Sequence, residues 1–98
     1  MIVRVVKLTF RAEEIETFKQ ILIDSKEKIR NFPGVIYLEM LQDTNNPQIF
    51  FTYSHWKSEA DLESYRNSDL FKTTWAKTKP LFSSPAEAWS NNRLHQML

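Results

Sequence analysis

The chain has 98 residues, thirteen basic and twelve acidic, for a formal net charge of +1, with one glycine, no cysteine, two histidines and thirteen aromatics (seven Phe, three Tyr, three Trp). A single glycine excludes a Walker loop, a dinucleotide G-x-G-x-x-G and a G-x-S-x-G elbow, each of which needs several. The missing cysteines exclude disulfides, thiol nucleophiles and iron–sulfur clusters, and the near-neutral charge argues against a nucleic-acid partner, which calls for a basic stripe.

Residues 2–10 (IVRVVKLTF) are rich in β-branched side chains and predict a strand. Ile2, Arg4, Val6, Leu8 and Phe10 share one face, and Val3, Val5, Lys7 and Thr9 the other. Residues 12–31 change period: Ile15, Phe18, Leu22 and Ile29 recur at helical spacing among charged residues. Acidic side chains crowd the first turns and basic ones the last, as the helix dipole favours. Asn31-Phe32-Pro33-Gly34 stops the helix. Residues 35–43 predict a second strand, Asp43-Thr44-Asn45-Asn46-Pro47 a turn, and residues 48–57 (QIFFTYSHWK) a third strand, heavy in aromatics. So short a link implies an antiparallel hairpin. Ser58 and Asp61 match a capping box that opens a short helix over 59–66. Ser68 offers a second cap, for a helix over 69–79 with Phe71, Trp75 and Phe82 close to one stripe; Pro80 ends or kinks it. Residues 86–95 (AEAWSNNRLH) are read as a fourth strand.

The order β-α-β-β-α-β is the ferredoxin-like arrangement of an α+β fold, with an antiparallel four-stranded sheet and helices on one face. It makes one domain, residues 1–98. The other sheet face must also be covered. Tyr37, Glu39, Phe51, Tyr53 and His55 share alternating parity on the second and third strands, and such an aromatic face is a liability in a monomer. A second copy packed face to face is the simplest cover, so a homodimer is expected. No apolar run nears the roughly 20 residues of a membrane span. Met1-Ile2-Val3-Arg4 lacks the marks of a signal peptide. The expectation is a cytoplasmic protein with no membrane partner.

Three motifs in order carry a resemblance over nearly the whole chain. They are Phe32-Pro33-Gly34 after the first helix, Trp56-Lys57-Ser58-Glu59-Ala60-Asp61-Leu62 at the end of the aromatic strand, and Ser68-Asp69-Leu70-Phe71 opening a helix. The chain resembles the antibiotic biosynthesis monooxygenase domain of the dimeric α/β-barrel superfamily. The resemblance implies a homodimer whose two sheets form a barrel, with a pocket between sheet and helices in each subunit. It also implies one of several activities: cofactor-independent oxygenation of polycyclic phenols and quinols, haem degradation, or action on small signalling molecules. Leu70 stands where many of the oxygenases carry a histidine. Trp75, Tyr65 and Val6 stand at the positions of the haem-degrading branch's axial histidine, tryptophan and first-strand asparagine. A tryptophan cannot ligate iron, so no haem and no other cofactor is expected.

A cofactor-free oxygenase draws its electrons from the substrate: a base takes a proton, donors hold the anion, and dioxygen meets the carbanion. His55 is the best base by residue type, with an ordinary pKa near 6.5; the other reading is a strand-end histidine, partly solvated or bonded to backbone. Tyr37, Tyr53 and Tyr65 could each donate to a phenolate, with Tyr53 and Tyr37 taken as the catalytic donors; each could instead be a core or interface aromatic with a hydrogen-bonded hydroxyl. Phe51, Glu39, Trp75, Tyr65, Phe71 and Trp89 are the expected pocket wall. Glu39 could instead face solvent or pair with a cation such as Arg4, and Trp75 could line the pocket or fill it. His95, near the chain end, and Lys72, Lys77 and Lys79, on a solvated helix face, are given no role. The expected function is a cofactor-independent monooxygenase, an oxidoreductase using dioxygen on a small aromatic or enolic molecule. The alternative is a non-catalytic dimer that binds or senses a small molecule on the same scaffold.

Overall fold

Alternation along the first strand gives the sheet two faces, and the helices pack on the one that carries Leu8 and Phe10. A computed structural model describes residues 1–98. The chain order is β1 (Ile2–Phe10), α1 (Ile15–Arg30), β2 (Val35–Gln42), β3 (Ile49–Trp56), α2 (Glu59–Arg66), α3 (Asp69–Thr78) and β4 (Phe82–Asn91), with 3-10 turns at Ala12–Glu14 and Lys79–Leu81. The strands form one antiparallel sheet in the order β2-β3-β1-β4. This is the ferredoxin-like α+β fold. β1 is central because its β-branched residues suit burial on both edges and much of both faces.

Leu8 and Phe10 point toward the helices and are buried with Phe18 of α1, Phe50 of β3 and Leu81. Phe10 is fully enclosed. Its ring stacks on Phe18 at 4.1 Å between centroids and meets Phe50 edge-on at 5.6 Å. Thus the inner sheet face carries Arg4, Val6, Leu8 and Phe10 with their cross-strand neighbours. The outer face carries Val3, Val5 and Lys7 beside Tyr37, Phe51, Tyr53, His55 and Trp89. No helix covers it.

Local chemistry sets the connections. α1 begins three residues later than the periodicity suggests, because Ala12–Glu14 winds as a 3-10 turn. Arg30, at its end, donates to the Val35 and Ile36 carbonyls at 3.1 Å each and so ties α1 to β2. In the hairpin Asp43 Oδ2 accepts from the Asn45 and Asn46 amides at 3.0 and 2.8 Å, the Asx geometry that makes such residues turn formers. Ser58 Oγ accepts from the Asp61 amide at 3.1 Å and donates to Asp61 Oδ2 at 3.0 Å. Asp61 therefore reaches back to the cap hydroxyl rather than to its backbone amide. Ser68 Oγ accepts from the Phe71 amide at 3.1 Å.

The fourth strand differs from its expected span of 86–95. It runs Phe82–Asn91. Pro80 sits inside the 3-10 turn that ends α3, and the backbone is already extended at Phe82. Phe82 therefore pairs with Phe10 rather than extending the helical stripe. Pro85 lies where the register with β1 shifts, between the pairs Thr9–Ser84 and Lys7–Glu87. A bulge on an edge strand is a place where a missing amide does no harm. No helix is long and apolar enough to cross a membrane.

Candidate functional site

Between the helices and the inner sheet face lies a cavity of about 700 Å³, within the size range of small-molecule sites. Its floor changes character along the strands. One cross-strand row holds Leu38, Ser54, Arg4 and, at the edge, Ser90; the next holds Met40, Thr52, Val6 and Ala88. Thr52, Ser54, Ala86 and Ala88 line it, and their small size leaves open a space that larger side chains would fill. The end beyond them is closed by the phenylalanine cluster around Phe10. Ile21 and Leu22 of α1, Leu62 and Tyr65 of α2, and Phe71, Thr74 and Trp75 of α3 complete the enclosure.

The wall is a continuous run of rings. Phe71 and Trp75, one helical turn apart on α3, stack at 5.8 Å with 11° between their planes. Tyr65 meets Phe71 edge-on at 5.3 Å, and Phe82 meets Trp75 at 5.5 Å. Trp56, under α2, lies 5.1 Å from Tyr65 and donates its Nε1–H to Ser54 Oγ at 3.0 Å.

Few polar groups break this surface. Burial pushes the Tyr65 phenol up to about 12, with no protein hydrogen bond contributing to that shift. Tyr65 therefore stays protonated at neutral pH and can act as a donor. Arg4 is half-buried on the floor, and burial, then the neighbouring Arg66, pull it below the usual guanidinium value, with Glu63 opposing. It nonetheless remains charged at neutral pH. Lys26, Glu27, Arg30 and Arg66 also border the space. No three His, Asp or Glu side chains converge as a metal site would need.

A family model described as antibiotic biosynthesis monooxygenase matches residues 1–77, from β1 through nearly all of α3. The chain belongs to the antibiotic biosynthesis monooxygenase family. Among solved structures, one described as an antibiotic biosynthesis monooxygenase superposes with a TM-score of 0.92 at 15% identity, covering 97% of this chain and 100% of that one. A conserved protein from Methanosarcina mazei gives 0.88 at 23% identity, covering 95% and 93%. A protein from Mycobacterium tuberculosis gives 0.89 at 13% identity, covering 97% and 96%. At these identities the likeness speaks for the fold. No curated protein matches the chain.

In this member of the antibiotic biosynthesis monooxygenase family, the residues singled out from the sequence fall into two groups. Tyr65, Phe71 and Trp75 line the cavity, which stays open beside Trp75. His55, Tyr53 and Tyr37 are brought together elsewhere. His55 Nε2 lies 3.0 Å from Tyr53 Oη, and the Tyr37 ring lies 5.2 Å from His55. All three sit on the outer face, as strand alternation requires, with the sheet between them and the cavity. The expectation that they share a pocket with the aromatic wall is therefore corrected. Phe51 and Trp89, also read as pocket wall, share that outer face. Glu39 borders the cavity through its strand, but its carboxylate accepts from Tyr37 Oη at 2.7 Å. It does not pair with Arg4, which faces the other way. This hydrogen bond, foremost, raises the Tyr37 phenol, while burial, then Arg93, lowers His55 against the pull of Glu39.

Sequence reasoning gave Arg4 no role of its own. The signal was present, since Arg4 is the one charge among Ile2, Val6, Leu8 and Phe10 on the inner face of β1.

Proposed function

We propose that the chain is an oxygenase of the antibiotic biosynthesis monooxygenase type that needs no bound cofactor and acts on a small aromatic or enolic molecule. The observation that carries this reading is the cavity of about 700 Å³ with its stacked wall of Tyr65, Phe71 and Trp75. Flat rings offer a flat substrate offset and edge contacts worth roughly 0.5–1.5 kcal/mol per pair beyond area burial. The substrate supplies all the electrons. An activated CH2 beside a phenol or carbonyl loses a proton, and its carbanion reduces dioxygen. One oxygen atom stays as a new carbonyl and the other leaves as water with the two hydrogens. Tyr65, neutral at working pH, donates to the substrate oxygen that gains charge. No histidine lines the cavity, so the substrate must be acidic enough to ionise without His55.

We further propose a homodimer formed through the outer sheet face. Tyr37, Leu41 and Trp89 lie there more than two-fifths exposed, beside Phe51, Tyr53 and His55. In this reading these residues serve the interface, and His55, Tyr53 and Tyr37 order it through their mutual contacts.

A second reading, a binding or sensing dimer without turnover, is favoured by the same lack of a cavity histidine. Oxygen uptake with a panel of anthrone-like phenols and quinols separates the two. The oxygenase reading expects one dioxygen consumed per substrate, with loss in Tyr65→Phe. Ligand-induced thermal stabilisation without any oxygen uptake selects the binder.

A further inference from the structure

Arg4 is a charged side chain on the cavity floor that the reading above leaves unused. It sits on the floor between Ser54 and Ser90 in the cross-strand register. Withdrawing a charge beside apolar surface costs free energy unless an opposite charge or several acceptors answer it. Arg4 has one such partner: Nη1 donates to Ser90 Oγ at 2.9 Å. Glu63, the acid whose field reaches it, already bridges to Arg66 at 3.6 Å. The two parallel N–H groups of the Nε and Nη2 edge have no protein acceptor and remain accessible rather than buried. A carboxylate fits that edge with both oxygens, while a lone phenolate oxygen meets only one donor well.

The surroundings specify what the carboxylate is attached to. Next to Arg4 on the floor come Val6 and Ala88, and the wall holds the near-parallel rings of Phe71 and Trp75. A flat apolar body belongs there.

We infer that the ligand of this cavity is a planar ring system bearing a carboxylate, and that Arg4 receives the carboxylate as the specificity-determining residue. This rests on the cavity being the ligand site. It narrows the aromatic or enolic class to ring acids.

Calorimetric titration with matched ring compounds tests it. The set is 2-naphthoate, the neutral 2-naphthamide, and 2-hydroxy-1,4-naphthoquinone, an ionised enol without a carboxylate. The unaltered chain should bind the naphthoate roughly tenfold or more tighter than the amide, as expected for a hydrogen-bonded charge pair. Arg4→Gln should erase that ratio, chiefly by weakening naphthoate binding. Arg4→Lys, which keeps the charge without the fork, should retain part of it. If Arg4→Gln does not fold, the ratio in the unaltered chain and its partial loss in Arg4→Lys decide the matter. Equal binding of acid and amide, a preference that survives Arg4→Gln, or tighter binding of the enol overturns the inference and leaves the cavity reading standing. Failure of all three compounds to bind overturns both.

Discussion

Gly34 holds φ at +95°, in the left-handed region that side chains avoid. A Cβ built on it would overlap Asp61 Cβ and lie 2.6 Å from its Cγ. The glycine thus lets the turn after α1 pass against the first turn of α2, where Asp61 serves the Ser58 cap. Strain and contact act together, so Gly34→Ala should cost about 2 kcal/mol or more in urea unfolding. A loss below a few tenths would show that Asp61 moves aside freely. As a stop for α1, Gly34 was legible from Asn31-Phe32-Pro33-Gly34. Its contact with Asp61, 27 positions along the chain, depends on the packing of α2 and could not be read locally.

At the scale of elements, α2 and α3 have 8 and 10 residues, too short to hold in water by themselves. Their serine caps and their packing keep them. Ser68 does two things at once. Its Oγ caps α3 through the Phe71 amide and donates to the Tyr65 carbonyl at 2.6 Å. It thereby joins the end of α2 to the start of α3, the stretch that presents Tyr65, Phe71 and Trp75 to the cavity. Ser68→Ala should lower stability by about 1 kcal/mol, read as a fall in melting temperature. Ser68→Asp should restore the cap but not the donation to Tyr65. If Ser68→Ala costs nothing measurable, the cap does not hold α3. The caps were plain in the sequence because Ser58 and Ser68 precede helical patterns directly. The bounds of β4 were not: residues 82–85 fell outside the expected span of 86–95, and pairing of Phe82 and Ser84 with β1 brings them into the strand.

At the scale of the molecule, the outer sheet face is the part left uncovered. Its cover by a second copy predicts that Phe51→Glu converts a dimer to a monomer in sedimentation, since a charge would be buried against its own copy. A monomer in the unaltered chain at micromolar concentration would refute the dimer. The same face carries a pH dependence through His55, whose pKa is lowered, chiefly by burial. The unfolded chain then binds the proton more readily than the folded one. Stability should be full above the ordinary value of 6.5, and fall as pH drops through it toward the lowered folded value. His55→Gln should flatten the melting temperature between about pH 7.5 and 5. An unchanged slope in that variant would place the dependence on other groups.

Sequence alone determined the element order, the antiparallel hairpin, the two helix caps and the family, because each rests on patterns of neighbouring residues. Periodicity also sorted β1 into two faces, with Leu8 and Phe10 on one and Val3 and Val5 on the other. Parity also put Tyr37, Tyr53 and His55 together on the face that a second copy was expected to cover. Only the tertiary structure decided that the cavity opens on the opposite face, with Arg4 on its floor and none of those three in its lining. The physical reason is that alternation assigns residues to sides of a strand without saying which side is buried; the packing of Phe18 of α1 on Phe10 and Phe50 settles it.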